Sequence, residues 1–401
     1  INDRQQTKMF RILTSVLLFI SIFITNVFAE IKVGIILGFT GPIETLTPAM
    51  AESAELAFKE ASDSGLLLNG ENIKGIRVDS TCTDASAAST AAEDAIINGV
   101  VALIGAVCPN ITKSILINSA IPNKITIISP AATSSTLTNL DDKGFFFRTT
   151  HSDTRGGEIL ADITKDRKIK EVAITYSDTD YGKNLAEAYK KKVEEHGVKV
   201  TTIVSYEDGK KDYSSEVATL ASAGGDAVAV IGFLEQGGKE IIKASLDSGA
   251  FDKFILSERM IGQSLIETFG KQIEKSFGYI AGSSGKRAGF FNRVAKNGGI
   301  NISNPYTRES YDAAALVVLA IQAGGSANSQ SISKNIIDVA NSPGTKIYPG
   351  EIKKGLELLA RGKKIDYEGA TGVSFNKFGE AKGSFLEQQV KNGRFKAYKQ
   401  R

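Results

Sequence analysis

Reactive side chains are scarce in this chain. Its 401 residues include two Cys, Cys82 and Cys108, and two His, His151 and His196. That is too few for a multi-His or Cys-rich zinc site. No G-x-S-x-G nucleophile elbow occurs. The first glycine-rich loop, Gly38-Phe39-Thr40-Gly41-Pro42, has the wrong spacing for a dinucleotide fingerprint, and Pro42 lacks a donor N–H. Gly285-Lys286-Arg287 lacks the Ser or Thr that follows Lys in a phosphate-binding loop, and Ile280 stands where its first Gly belongs. His196 precedes Gly197 near a helix end, a surface position facing the helix dipole. His151 follows the expected lobe junction and reads as a packed or solvent-facing ring. No constellation for catalysis emerges, and no metal or cofactor is expected.

What remains are loop residues suited to holding a small polar molecule. Ala131-Ala132-Thr133, Tyr181, Phe233 and Glu258 each follow an apolar run directly. In open parallel sheets, ligands sit beyond the carboxyl ends of the strands. A zwitterion held there needs two opposite anchors. Its carboxylate is served by backbone N–H groups and a hydroxyl at a helix start. Its ammonium needs a carboxylate.

The elements that position these residues alternate. Apolar runs predict strands at 31–37, 76–81, 100–105, 125–128 and 145–147. Between them lie helical patterns. Met50, Ala54, Ala57 and Ala61 share one face, and Gly65 caps that helix. Asp84 caps a helix through Ala95-Ile96-Ile97 that ends at Gly99. Another helix runs through Ile115-Leu116. After Thr150 the pattern restarts, with strands at 172–176, 200–204 and 227–231 and helices at 183–196 and 214–223. Residues 311–323 read as a long apolar helix. From Val373 to Tyr398 the chain reads as short strands with turns at Gly379 and Gly393. Continuous apolar strands alternating with helices argue for parallel sheets covered on both faces. The expected fold is α/β, with two doubly wound lobes.

The N-terminus reads as an export signal. Met9-Phe10-Arg11 precedes an apolar run of 14 residues from Ile12 to Thr25, and small residues stand at Val27 and Ala29. That run is short of the roughly 17–25 residues needed to span a bilayer. Cleavage is expected after Ala29, with no Cys following that could carry a lipid. Formal net charge is +3, and removing residues 1–29 leaves the rest close to neutral, so charge implies no nucleic-acid partner. Export into an oxidising compartment makes Cys82 and Cys108, each at a strand end, an expected disulfide.

Taken in order, further pieces resemble a known family. They are Thr40-Gly41-Pro42, Cys82 and Cys108, Ser129-Pro130-Ala131-Ala132-Thr133 and Phe147-Arg148-Thr149. They continue with Tyr181-Gly182, Tyr311-Asp312-Ala313, Tyr367-Glu368-Gly369 and Phe375-Asn376-Lys377-Phe378-Gly379. From Ile31 onward the chain resembles the periplasmic solute-binding proteins of branched-chain amino acid ABC transporters, the leucine/isoleucine/valine-binding proteins. The resemblance implies the type I periplasmic binding protein fold, with ligand in a cleft between lobes joined by three crossing strands. It places lobe one at 30–150 plus 283–383 and lobe two at 151–282 plus 384–401. It implies a carboxylate anchor at Ala131, Ala132, Thr133 and the Val107-Cys108-Pro109 turn. In the family a Ser stands where Pro109 does, so a hydroxyl and an N–H are lost and Asn110 is the substitute. It implies Glu258 as the ammonium partner, Tyr181 and Phe233 closing from lobe two, and Leu46, Val107 and Glu44 on the wall. The implied ligand is a small neutral or branched-chain amino acid, with an amide or small carboxylate as the alternative. The implied partner is an inner-membrane ABC permease, with a ligand-sensing role as the competing function and a monomeric chain.

Overall fold

The computed structural model describes residues 30–401 apart from Pro42 and Ser303. The export signal expected at 1–29 lies outside the described residues. Five parallel strands build the first sheet: β1 (Ile31–Leu37), β2 (Ile73–Asp79), β3 (Val100–Gly105), β4 (Thr126–Ser129) and β5 (Phe146–Arg148). Their order is β2-β1-β3-β4-β5. The order reverses beside β1, so a crevice opens at the strand ends there. The apolar runs set these strands, although the strand expected at 76–81 lies at 73–79 because it pairs in register with β1, Ile31 opposite Ile73.

The second sheet begins with β6 (Glu171–Ser177), β7 (Lys199–Tyr206), β8 (Ala227–Ile231), β9 (Phe254–Leu256) and β10 (Phe277–Ala281). Two short strands, β11 (Thr345–Ile347) and β12 (Ile365–Tyr367), pair only with each other. The chain then returns as β13 (Phe385–Val390) and β14 (Phe395–Gln400). The second sheet runs β14-β13-β10-β9-β8-β6-β7. Its strands β6 to β10 pair parallel, and the C-terminal strands add an antiparallel edge. β13 meets β10 antiparallel and pairs with β14 in a hairpin turning near Gly393. The physical reason is direction: β13 re-enters from the opposite lobe after a final crossing, and a tight turn can only reverse it.

Helices cover both faces. The 47–64 helix starts with Pro at its first turn and ends at Gly65 in the left-handed conformation. The Asp84 side chain accepts from the N–H groups of Ser86 and Ala87, as a cap should. Ser152 and Thr179 cap the next two helices of the crevice in the same way. The long apolar helix spans Thr307–Gly324 and is buried from Thr307 to Ile321 save Arg308. A helix apolar on every side belongs in an interior, and this one packs between the 47–64 and 329–340 helices.

Cys82 and Cys108 are disulfide-bonded, with Cα atoms 5.5 Å apart. Three segments cross between the sheets: residues 149–152, 282–285 and 381–384. All three run past one aromatic cluster, formed by His151 of the first crossing with Tyr279 of β10 and Phe385 of β13. His151 packs edge-on against Phe385 with centroids 4.7 Å apart, and Tyr279 lies 5.4 Å from Phe385. Gly383, at φ +73°, lets the third crossing pass close by; a Cβ there would stand 2.9 Å from the His151 Cβ. Among the described residues, no helix is long and apolar enough to cross a membrane.

Candidate functional site

On the first-lobe side, β4 ends at Ser129 and the chain turns through Pro130 into Ala131-Ala132-Thr133-Ser134. The Ser129 hydroxyl donates to the Ala106 carbonyl (2.6 Å) and accepts from the N–H groups of Ala131 (3.3 Å) and Ala132 (2.9 Å). Both amides expected to anchor a carboxylate are therefore engaged by the loop itself. Thr133 is buried, and its carbonyl accepts from the Asp153 N–H at 2.7 Å. Beyond β3, Val107 is buried, Cys108 and Pro109 are partly buried, and Asn110 is exposed. Pro109 opens a helix over Pro109–Ile115. Leu46 packs partly against the first-lobe core, and Glu44 is exposed.

This loop has an internal brace that the sequence did not reveal. Arg148, at the end of β5, is fully buried. It donates to the carbonyls of Ala132 (3.0 Å) and Ser134 (2.8 Å) and to the Thr138 hydroxyl (2.9 Å), and pairs with Glu380. The two carbonyls flank Thr133, so Arg148 fixes where Thr133 points.

From the second lobe come Tyr181, in the first turn of the Asp180–Glu195 helix, and Phe233, after β8. Their ring centroids lie 5.3 Å apart. β9 delivers Glu258 and Arg259 on one short turn, Glu258–Met260. The two neighbours diverge. Glu258 faces the crossings: it lies 3.2 Å from His151 Nε2 and accepts from the Ala281 N–H at 3.3 Å. Burial opposes its ionisation, but His151 and Arg259 outweigh that and hold the carboxyl below its usual range. Arg259 faces the aromatic pair. Its guanidinium sits 4.0 Å from the Tyr181 ring centroid and 5.1 Å from that of Phe233. It also donates to the Thr133 hydroxyl at 3.4 Å. With Asn184 reaching Ser134 at 3.2 Å, this contact joins the two lobes.

Asp153 completes the site and was not among the residues picked from sequence. It stands in the first turn of the Asp153–Asp166 helix, after the Ser152 cap, and is 1% exposed. Neither carboxylate oxygen has a hydrogen-bond partner among the described residues. Burial pushes its carboxyl up to about 6, against the pull of Arg259, the nearby Thr133 hydroxyl and His151. The Ser152-Asp153 pair, directly after the expected junction at Thr150, was the signal that could have found it. Glu309 lies close to Glu258 and is pushed up to about 7 by burial. Thr133 and Arg259 thus lie beside Asp153, Tyr181 and Phe233 stack against Arg259, and Glu258 leaves the same turn toward His151. Leu46 and Cys108 lie on first-lobe loops and Pro109 and Asn110 in the first turn of the Pro109–Ile115 helix, and among the described residues none of them hydrogen-bonds to the second lobe. Among the described residues, no group of three or more Cys, His, Asp or Glu side chains could hold a metal ion.

Two doubly wound lobes, three crossings and polar groups converging between them define a two-lobed ligand-binding protein. A model of the receptor family ligand binding region matches residues 49–386. The Leu/Ile/Val-binding protein homolog 1 of Brucella melitensis is 30% identical over 318 residues, covering 77% of this chain and 82% of its own. The substrate-binding protein BasB of the chemotactic signal transduction system of Halobacterium salinarum is 23% identical over 364 residues, covering 85% and 82%. Among solved structures, the leucine binding protein LivK of Thermotoga maritima superposes with TM-score 0.73 at 23% identity, covering 92% of this chain and 98% of that one. A solute binding protein of an ABC transporter from Rhodopseudomonas palustris, in complex with p-hydroxybenzoic acid, reaches 0.73 at 16% identity, covering 93% and 97%. The chain belongs to the Leu/Ile/Val-binding protein family of solute-binding proteins and has its type I periplasmic binding fold.

Proposed function

We propose that this chain is the substrate-binding component of an ABC importer. It captures a small amino acid, neutral or branched-chain, in the interlobe cleft and hands it to a membrane permease without catalysis. The observation that carries this reading is Asp153: a buried carboxylate without a hydrogen-bond partner among the described residues, between lobes, beside Thr133 and Arg259. A buried unpaired carboxylate is costly, and an ammonium group offsets that cost. Family membership supports export to the periplasm, with residues 1–29 as the removed signal. Sheet membership, with the packing of the 307–324 helix on the 47–64 helix, supports lobes at 30–150 with 283–383 and at 151–282 with 384–401.

A thermal-shift screen of the twenty amino acids, their amides and small aromatic acids tests the reading, because a ligand of the folded state raises stability by mass action. A saturating ligand should also shrink the radius of gyration in small-angle scattering as the lobes close. If no compound shifts the melting transition, the reading fails. The similarity to BasB supports a second reading, delivery of the ligand to a signalling partner. Uptake of labelled ligand by cells with and without the gene separates the two.

A further inference from the structure

Among the described residues, Arg259 is a cleft cation with no ion-pair partner. Among the described residues, no carboxylate oxygen lies within 4.0 Å of its guanidinium. Arg148 in contrast has Glu380, and His151 has Glu258. Glu258 is adjacent in sequence to Arg259 but is turned toward His151 and the Ala281 amide. Burial works against the Arg259 charge, yet Tyr306, Tyr181, Asp153 and Glu258 together keep it protonated. A cation stacked on two rings and touching the opposite lobe is held in place for an anion.

The first lobe explains why an extra cation is needed. A carboxylate bound at a strand end usually relies on N–H groups and hydroxyls. Here the Ala131 and Ala132 amides are spent on Ser129, and Pro109 has no N–H to give. Of the nearby hydroxyls, that of Ser129 is bonded internally, while that of Thr133 faces Arg259. Neutral donors alone therefore leave a carboxylate under-satisfied on this side. An arginine fork supplies charge-assisted hydrogen bonds in a geometry that matches a carboxylate.

We propose that Arg259 is the specificity-determining anchor for the ligand's carboxylate, which it holds against Thr133 across the cleft, so that the cleft takes acids and rejects their amides. This rests on the reading that the interlobe cleft binds a small molecule. It places the carboxylate end at Arg259 and Thr133 and an ammonium end, where the ligand has one, at Asp153. It also ties lobe closure to the carboxylate, because Arg259 follows β9 of one lobe and Thr133 follows β4 of the other.

The test uses matched pairs on the full exported chain: L-leucine with L-leucinamide, and 4-hydroxybenzoate with 4-hydroxybenzamide, measured by calorimetric titration. Acids are expected to bind at least about 100-fold more tightly than their amides. Arg259→Met should weaken acid binding by about 100-fold, about 2.8 kcal/mol at 1.4 kcal/mol per decade, and leave any amide binding unchanged. Arg259→Lys, which keeps the charge but not the fork, should recover part of the loss. Circular dichroism and the unliganded melting temperature of each variant show that it is folded. Amides that match their acids, or an Arg259→Met affinity within threefold of wild type, overturn the anchor and leave the cleft reading standing. A wild-type protein that responds to none of the four compounds, to no other amino acid and to no other small acid overturns both.

Discussion

Arg148→Met is expected to be among the most damaging single changes in the first lobe, through a residue that touches no ligand. Arg148 is 0% exposed and its partner Glu380 is 7% exposed. Removing the guanidinium strands the Glu380 charge in the interior, a loss of roughly 3–5 kcal/mol. The carbonyls of Ala132 and Ser134 lose their donor as well, about 1 kcal/mol or more in net terms. A total of roughly 4–6 kcal/mol is a large part of the 5–15 kcal/mol that typically holds a domain folded. The Thr138 hydroxyl, which donates to Glu380 at 2.6 Å, softens the loss only slightly. Because the two carbonyls flank Thr133, the ligand loop should loosen too, and affinity should fall alongside stability. The assay is urea unfolding of wild type, Arg148→Met, Glu380→Gln and the double variant. The double variant should recover at least about 1.5 kcal/mol relative to the sum of the singles, since it no longer buries an unpaired charge. An Arg148→Met cost below about 1 kcal/mol, or singles that simply add, would refute the brace.

Three more outcomes follow from the charges and the disulfide. Asp153 carries a cost when ionised: with its carboxyl raised from 3.8 to about 6, the linkage amounts to about 3 kcal/mol at neutral pH. Asp153→Asn should raise the unliganded melting temperature and weaken L-leucine binding, while 4-methylpentanoate, which lacks the ammonium, should bind no worse; a lower melting temperature would count against the orphan carboxylate. Asp153 and Asp312 are raised to about 6, and Glu60 and Glu309 to about 7. The folded state thus binds more protons than the unfolded between about pH 4 and 7, and stability falls as pH rises through that window. The carboxylates with lowered values exert their effect below it, so the urea midpoint should be higher at pH 5 than at pH 7.5, and the reverse order would sink the assignment. Reducing Cys82–Cys108, which are 26 positions apart, should cost roughly 3 kcal/mol in the chain-entropy picture; unchanged unfolding after reduction and alkylation would contradict it.

The elements of this fold were written locally. The apolar runs at 31–37, 100–105 and 227–231 became β1, β3 and β8, and Asp84 caps its helix through its own side chain. Such signals are legible because period, cap and turn act within a few residues. The disulfide was legible too, since two cysteines at expected strand ends leave one pairing. The strand-end rule also picked out Thr133, Tyr181, Phe233 and Glu258.

Other features depend on partners that sequence separation hides. Arg148 and Glu380 are 232 positions apart. Asp312 accepts from the Tyr367 hydroxyl, the Ala370 and Thr371 N–H groups and the Thr371 hydroxyl, tying the long helix to the last stretch before the third crossing. No local pattern marks an Arg or Asp that will be buried this way, because its burial is decided by what folds over it. The same holds for Glu258 and Arg259. Both follow the same apolar strand, and the sequence favoured the acid as the cleft-facing anchor. The tertiary structure turned Glu258 toward His151 and Arg259 toward Tyr181 and Thr133. Consecutive residues on a tight turn point in different directions, and only the packing of the crossings against β9 decides which of them meets the opposite lobe.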